Sequence, residues 1–207
     1  MWRIVSASVP SPEIAVATAA DRDRTLDSLV AAFRNDPVLR YLFPDDELYA
    51  VGAPAFFGRL FDKRVHRNTI WTINHGVATA LWEPPADETG SRRKNEGAEG
   101  PHVDEIGALL PEDALQRVDA YDDAVHALLP TMPFWYLGVL GTHPDSVGRG
   151  WGRAVMRAGL RRAAEDGLPA VLETSSPTNV EFYRRGGWEV VDEVADPLPI
   201  WVLRHQS

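Results

Sequence analysis

The sequence predicts a mixed α/β domain in which helices flank a sheet. Three observations carry that expectation. Phe134 to Thr142 (FWYLGVLGT) is continuously apolar and β-rich, as suits a strand covered on both faces. An amphipathic helix and a second apolar run, Ala170 to Thr174, follow it, so strand, helix, strand stand together in chain order. The 207 residues are 44% hydrophobic and 25% charged, which is ordinary globular composition with ample chain for a core, so a single domain over 1–207 is expected.

The elements are read in order from periodicity and punctuation. After a polar lead-in, Asp21 or Asp23 caps a helix that places Leu26, Leu29, Val30 and Phe33 on one stripe and ends before Asp36 and Pro37. Val38 to Phe43 is a short segment broken at Pro44. A second helix is expected to start near Pro54, whose fixed φ suits a first turn, and to bury Phe57, Leu60 and Phe61. Thr69 to Ile73 and Val77 to Trp82 read as a hairpin around Asn74, His75 and Gly76, ended by Pro84 and Pro85. The stretch 87–101 is polar, glycine-containing and without period, so it is expected to be an exposed loop insertion; Arg92, Arg93 and Lys94 form a basic run in it.

Glu112 to Leu129 is the clearest amphipathic helix, with Leu115, Val118, Tyr121, Val125 and Leu128 opposite Asp119, Asp122 and Asp123. Pro130 and Pro133 stop it. Trp151 to Asp166 turns Val155, Met156 and Leu160 inward and Arg153, Arg157 and Arg161 outward, and Gly167 closes it. Asn179 to Arg185 is a short helix, and Trp188 to Val194 and Ile200 to Arg204 are strands. An exposed edge near Ile200 to Arg204 leaves monomer and homodimer both open.

Composition excludes several function classes. A net charge of -9 offers no general attraction to nucleic acid or anionic lipid. No run approaches the ~18 apolar residues of a membrane span, and MWRIVSASVP lacks a signal-peptide core, so a cytoplasmic protein is expected. The absence of cysteine removes disulfides, thiolate metal sites and an acyl-cysteine intermediate. His66, His75, His102, His126, His143 and His205 show no metal-ligand spacing, so no metal is expected.

The sharpest motif is THPDSVGRGWGRAVM, Thr142 to Met156. Gly148, Gly150 and Gly152 open an amphipathic helix just after a buried strand. Alternate glycines let backbone approach an anion closely while the N–H groups of the helix start point at it, which suits a phosphate. A dinucleotide-binding turn fits less well, because Arg153 stands where its third glycine belongs, although Glu173 lies about where a ribose-binding carboxylate would. No Gly-Lys-Ser/Thr follows, so the loop is not a P-loop.

The run VGRGWG after a strand and His143-Pro144-Asp145, followed by LETSSPTNVEFYRRGGW, resembles the coenzyme A-binding core of the GNAT superfamily of N-acetyltransferases. More narrowly, AAFRNDP, LWEPP, LETSSPTN and EFYRRGGW resemble the puromycin N-acetyltransferase-like members. The likeness covers Phe134 to about Val194 strongly, Leu26 to Phe43 and Ile70 to Pro84 weakly, and 87–130 not at all. It implies a mixed, mostly antiparallel sheet flanked by helices, with a splayed central parallel strand pair. It implies acetyl-CoA as co-substrate, a small-molecule amine as acceptor, and direct transfer in a ternary complex.

What the resemblance assigns to residues can be stated position by position. Gly148, Arg149, Gly150, Trp151 and Gly152 would hold the coenzyme pyrophosphate through their N–H groups. Leu140, Gly141 and Thr142 would line the pantetheine arm, with the Leu140 N–H at the oxyanion. Val147 replaces the Gln or Arg usual at the first loop position, and Arg149 and Arg153 either compensate or are solvated helix arginines. Asn179 is a helix cap, a pantetheine contact or both. Tyr183 either packs on the sheet or protonates the departing thiolate. Some family members carry a carboxylate where Tyr136 stands, so the base is sought elsewhere: Glu173 first, His143 second, each with a structural role as the other reading. The acceptor pocket is expected among the first two helices, Phe43 to Glu47, Trp82 and Glu83, with Tyr41, Phe43, Phe57, Trp82, Trp135 and Tyr136 as aromatic candidates, for each of which core packing is the other and favoured reading. A non-catalytic acyl-CoA-binding module is the competing reading.

Overall fold

The computed structural model describes residues 12–85 and 110–206. The loop expected over 87–101, its basic run and His102 lie outside the described residues. Seven strands form one sheet: β1 (Ile14–Val16), β2 (Ile70–Ile73), β3 (Ala78–Glu83), β4 (Trp135–Thr142), β5 (Ala170–Thr174), β6 (Glu189–Val194) and β7 (Ile200–His205), in the order β1-β2-β3-β4-β5-β7-β6. All neighbours pair antiparallel except β4 and β5. β4 is therefore the middle strand, as its apolar run predicts.

Among the described residues six helices cover the faces: α1 (Arg22–Ala32), α2 (Pro37–Leu42), α3 (Asp46–Val65), α4 (Glu112–Leu128), α5 (Trp151–Glu165) and α6 (Pro177–Arg184). Local chemistry sets their starts. The Asp36 carboxylate accepts from the N–H groups of Val38 and Leu39 at the head of α2, and Asp45 accepts from Leu48 N–H at the head of α3, each cap contributing about 1 kcal/mol. α3 thus begins eight residues before the expected position, with Pro54 inside it. A capped aspartate outweighs the proline signal. β1 was not expected; its three residues become a strand by pairing with β2. The edge expected near Ile200 is interior, because β7 lies between β5 and β6.

The hairpin turn is held by positive φ at Asn74, His75 and Gly76. One face of the sheet packs against α1, α3 and α4, burying Leu29, Phe43, Phe57, Phe61 and Val118. The other packs against α5 and α6, burying Trp82, Trp135, Val155, Met156 and Trp188. Gly159 of α5 lies flat on Trp82, leaving no room for a Cβ.

The irregularity of β4 positions the site. Against β3, Leu81 pairs with Val139 and Trp82 with Leu137, so Gly138 is bulged out of the ladder. Against β5, only Trp135–Ala170 and Tyr136–Val171 are in register. Beyond them the two strands continue without pairing, and the sheet opens at its centre.

Candidate active site

A cleft of about 410 Å³ occupies the α5 and α6 side of that opening. Its walls are Leu140 and Thr142 of β4, the loop through Ser146, Val147, Gly148 and Gly150, the α5 residues Trp151, Gly152 and Arg153, and Asn179, Phe182 and Tyr183 of α6. Gly148 (φ 84°) and Gly150 (φ 76°) take left-handed backbone that L side chains rarely adopt, and a Cβ at either would meet nothing within 4 Å. The loop backbone is open to a ligand, and Gly150 is the N-cap of α5. The first bond closing that helix is from Ala154 N–H to Gly150 C=O at 3.1 Å, so the preceding amides are the donors a helix start leaves over. Together with the dipole of a 15-residue helix they make a setting suited to an anion.

Gly141, Arg149 and Glu173, named from the sequence, stand outside the cleft. Gly141 is buried against Leu29 and Phe33 of α1, which needs its missing side chain. Arg149 stands over the Trp151 ring at 5.2 Å. Glu173 lines a second cavity. Asn179 reaches the cleft but is not the helix cap: Ser176 is, accepting from Asn179 N–H, while Asn179 Nδ2 donates to Thr174 Oγ1 at 3.4 Å. Ser146 and Phe182, not singled out before, do line the cleft.

Tyr183 is buried, its ring edge-on to Phe182 and Trp188 at 5.2 and 5.8 Å. Burial pushes its hydroxyl well above the usual tyrosine value, and the Glu173 charge adds to the rise. The group therefore keeps its proton at neutral pH and is suited to giving it up only to a strong base.

The second cavity lies across the sheet, between β4, β5, α3 and α4. Tyr136, Gly138, Glu173, Tyr121, Arg64 and Phe56 are among its walls. Glu173 stands two residues past the last β4–β5 pair, and its Oε2 accepts a hydrogen bond from the Tyr136 hydroxyl. Tyr121 of α4 lines the same cavity and favours the charged carboxylate. Burial raises the Glu173 carboxyl to about 7, with the two tyrosine hydroxyls and the Arg64 charge pulling the other way. Burial likewise keeps Tyr136 and Tyr121 protonated, so both serve as donors.

Arg64 is buried and ion-paired at 3.0 Å with the equally buried Glu83, which Arg67 also holds at 2.5 Å. Removing one member of such a pair costs about 3–5 kcal/mol, so it is a fixed part of the wall. Of the aromatic candidates only Tyr136 lines this cavity. Phe43 and Phe57 are core, and Trp82 and Trp135 face α5 on the other side of the sheet. His143 lines neither cavity; its Nδ1 accepts from Asp145 N–H at the turn after β4. Among the described residues no cluster of His, Asp or Glu could hold a metal ion, and no helix is long and apolar enough to cross a membrane.

Residues 118–191, which contain the loop, both splayed strands and Tyr183, match the family model described as acetyltransferase (GNAT) domain. The fold is the GNAT fold. A mixed seven-stranded sheet with one parallel pair is shared with solved acetyltransferases. The histone acetyltransferase and related acetyltransferase from Corynebacterium glutamicum superposes with TM-score 0.60 over 95% of this chain and 97% of that one, at 23% identity. The PaiA N-acetyltransferase of Thermoplasma acidophilum, in complex with coenzyme A, superposes with TM-score 0.56 over 95% and 99%, at 9% identity. At such identities the likeness concerns the GNAT fold alone. By sequence, 119 residues, 54% of this chain, are 29% identical to mycothiol acetyltransferase of Saccharomonospora viridis and cover 39% of it. The chain thus spans well under half the length of that relative.

Proposed function

We propose that the chain transfers an acetyl group from acetyl-CoA to the amine of a small molecule, in a ternary complex and without an acyl-enzyme or a metal. The observation that carries this reading is the open, glycine-built amide cradle at the mouth of a cleft where β4 and β5 part. The cradle fits a diphosphate, and the unpaired edge of β4 fits an extended, amide-bearing arm that bonds like an added strand. The coenzyme supplies an activated acyl group as a thioester. Gly148 to Gly152 hold its pyrophosphate with Arg149 and Arg153 adding charge, Leu140 and Thr142 bind its arm through backbone groups, and Asn179 steadies it from α6. The Leu140 N–H stands where negative charge develops on the carbonyl oxygen. Glu173 takes a proton from the acceptor amine, reached through the cavity across the sheet, and Tyr183 gives one to the sulfur.

The acceptor is a compact amine, because the second cavity is narrow, and its wall of Phe56, Tyr121 and Tyr136 suits an apolar or aromatic body. The resemblance of AAFRNDP and EFYRRGGW to puromycin N-acetyltransferase-like members points to the same acceptor class and rests on those motifs alone. The reading involves no nucleic acid and no membrane, and it holds for a monomer or a homodimer. One observation favours the alternative of a non-catalytic acyl-CoA-binding module: Val147, 69% exposed, offers no side-chain bond where Gln or Arg would grip phosphate. Release of free thiol from acetyl-CoA across a panel of primary amines separates the two. Amine-dependent thiol release is expected; tight coenzyme binding with no release for any amine supports the module instead.

A further inference from the structure

Behind the coenzyme cleft, on the outer side of α5, a second groove of about 380 Å³ has an arginine rim and an apolar floor. Met156 and Leu160 form part of the floor; Arg153, Arg157 and Arg161 of α5 and Arg185 at the end of α6 form the rim. In a chain with 30 acidic residues against 21 basic, no Asp or Glu among the described residues lines it. By contrast Arg162, next along α5, pairs with Glu165 and Asp166. None of the four rim arginines has an ion pair within 4.0 Å among the described residues, and Arg153 instead lies over the Phe182 ring at 5.1 Å. His205 closes one end, its Nδ1 buried and without a hydrogen-bond partner among the described residues.

Steps of four residues put successive arginines of α5 about 6 Å apart along the axis on one face, where like charges repel. An anion seated between them and Arg185 relieves that repulsion, and planar guanidinium forks match the oxygens of a phosphate two at a time. The concave floor accommodates the ring or hydrocarbon that carries it. We propose that this groove is a phosphomonoester site. Arg153 lines both the groove and the coenzyme cleft, so the two are neighbours. Two sources of the phosphate are chemically equivalent: the 3′-phosphate of coenzyme A, which depends on the coenzyme reading above, or a separate phosphorylated small molecule, which does not.

Calorimetric titration with coenzyme A and with 3′-dephospho-coenzyme A, on the wild type and on the Arg157→Gln/Arg185→Gln double variant, tests the site. Both residues are exposed, so the variant keeps the fold. The expected result is a preference of about tenfold for coenzyme A in the wild type, falling to about twofold or less in the variant, with dephospho-coenzyme A affinity unchanged. If the wild type binds both coenzymes equally, melting with inorganic phosphate in the presence of saturating dephospho-coenzyme A decides the source. A rise in wild type that the variant lacks then assigns the groove to a separate phosphorylated ligand. Undiminished preference in the variant, or equal coenzyme affinities with no phosphate-dependent rise specific to the wild type, overturns the proposal. Should neither coenzyme bind the wild type, the coenzyme reading falls, and the phosphate melting of the two proteins alone still decides the groove.

Discussion

Tyr183→Phe is expected to lower kcat/KM for acetyl transfer about 10²-fold while leaving acetyl-CoA affinity nearly unchanged. The argument separates the ring from the hydroxyl. The ring packs edge-on against Phe182 and Trp188, and phenylalanine preserves those contacts, so the helix stays docked and the cleft keeps its shape. Only the proton is lost. A departing thiolate is stabilised by a donor within reach, and burial ensures that Tyr183 still holds its proton when the thiolate forms. Steady-state rates with calorimetric coenzyme affinities check both halves. Unchanged turnover would leave Tyr183 a packing residue and hand the proton donation to water.

Glu173→Gln is expected to cost a comparable factor, about 10²-fold at pH 8, and to remove one limb of the pH profile. With its carboxyl raised to about 7, Glu173 is mostly protonated at pH 6 and mostly ionised at pH 8. A base works only when ionised, so wild-type kcat/KM rises with pH through about 7 and then levels. Glutamine has the same shape and no such titration, so in the variant the rise near 7 disappears, while any limb belonging to the acceptor amine persists. A profile that keeps its rise near 7 in Glu173→Gln assigns the titration to another group. Tyr136 donates to this carboxyl and Tyr121 shares its cavity, so the substitution also disturbs the cavity wall. Unchanged affinity for the acceptor, measured as an inhibition constant of its acetylated product, shows that the cavity survives.

What could be read before the structure, and what could not, divides along local and non-local causes. The glycine loop was legible because positive φ and a helix start are written in neighbouring residues. So was the place of β4, since a run apolar on both faces needs cover on both. α3 was misplaced because a proline is a louder signal than a single capping aspartate, yet Asp45 closes the hydrogen bond that begins the helix. Trp82 and Trp135 were open between acceptor wall and core, and they are core on the α5 face. Their direction depends on register against a bulge at Gly138, which no single strand reveals. The expectation for Glu173 had only its place near the gap; its setting, with Tyr136 from one strand and Tyr121 from a helix some fifty residues earlier in the chain, exists only after folding. Tyr121 was visible as an inward residue of α4, and Arg64 was not singled out at all. The parting of β4 and β5 came from family likeness, since pairing limited to Trp135 and Tyr136 has no local signature.

A crystal structure of the chain with coenzyme A tests the central claim most directly. The account predicts the pyrophosphate against the backbone amides of Gly148 to Gly152 and the pantetheine arm along the unpaired edge of β4, its sulfur near the Tyr183 hydroxyl. Coenzyme bound elsewhere, or an arm that does not enter between β4 and β5, would contradict it.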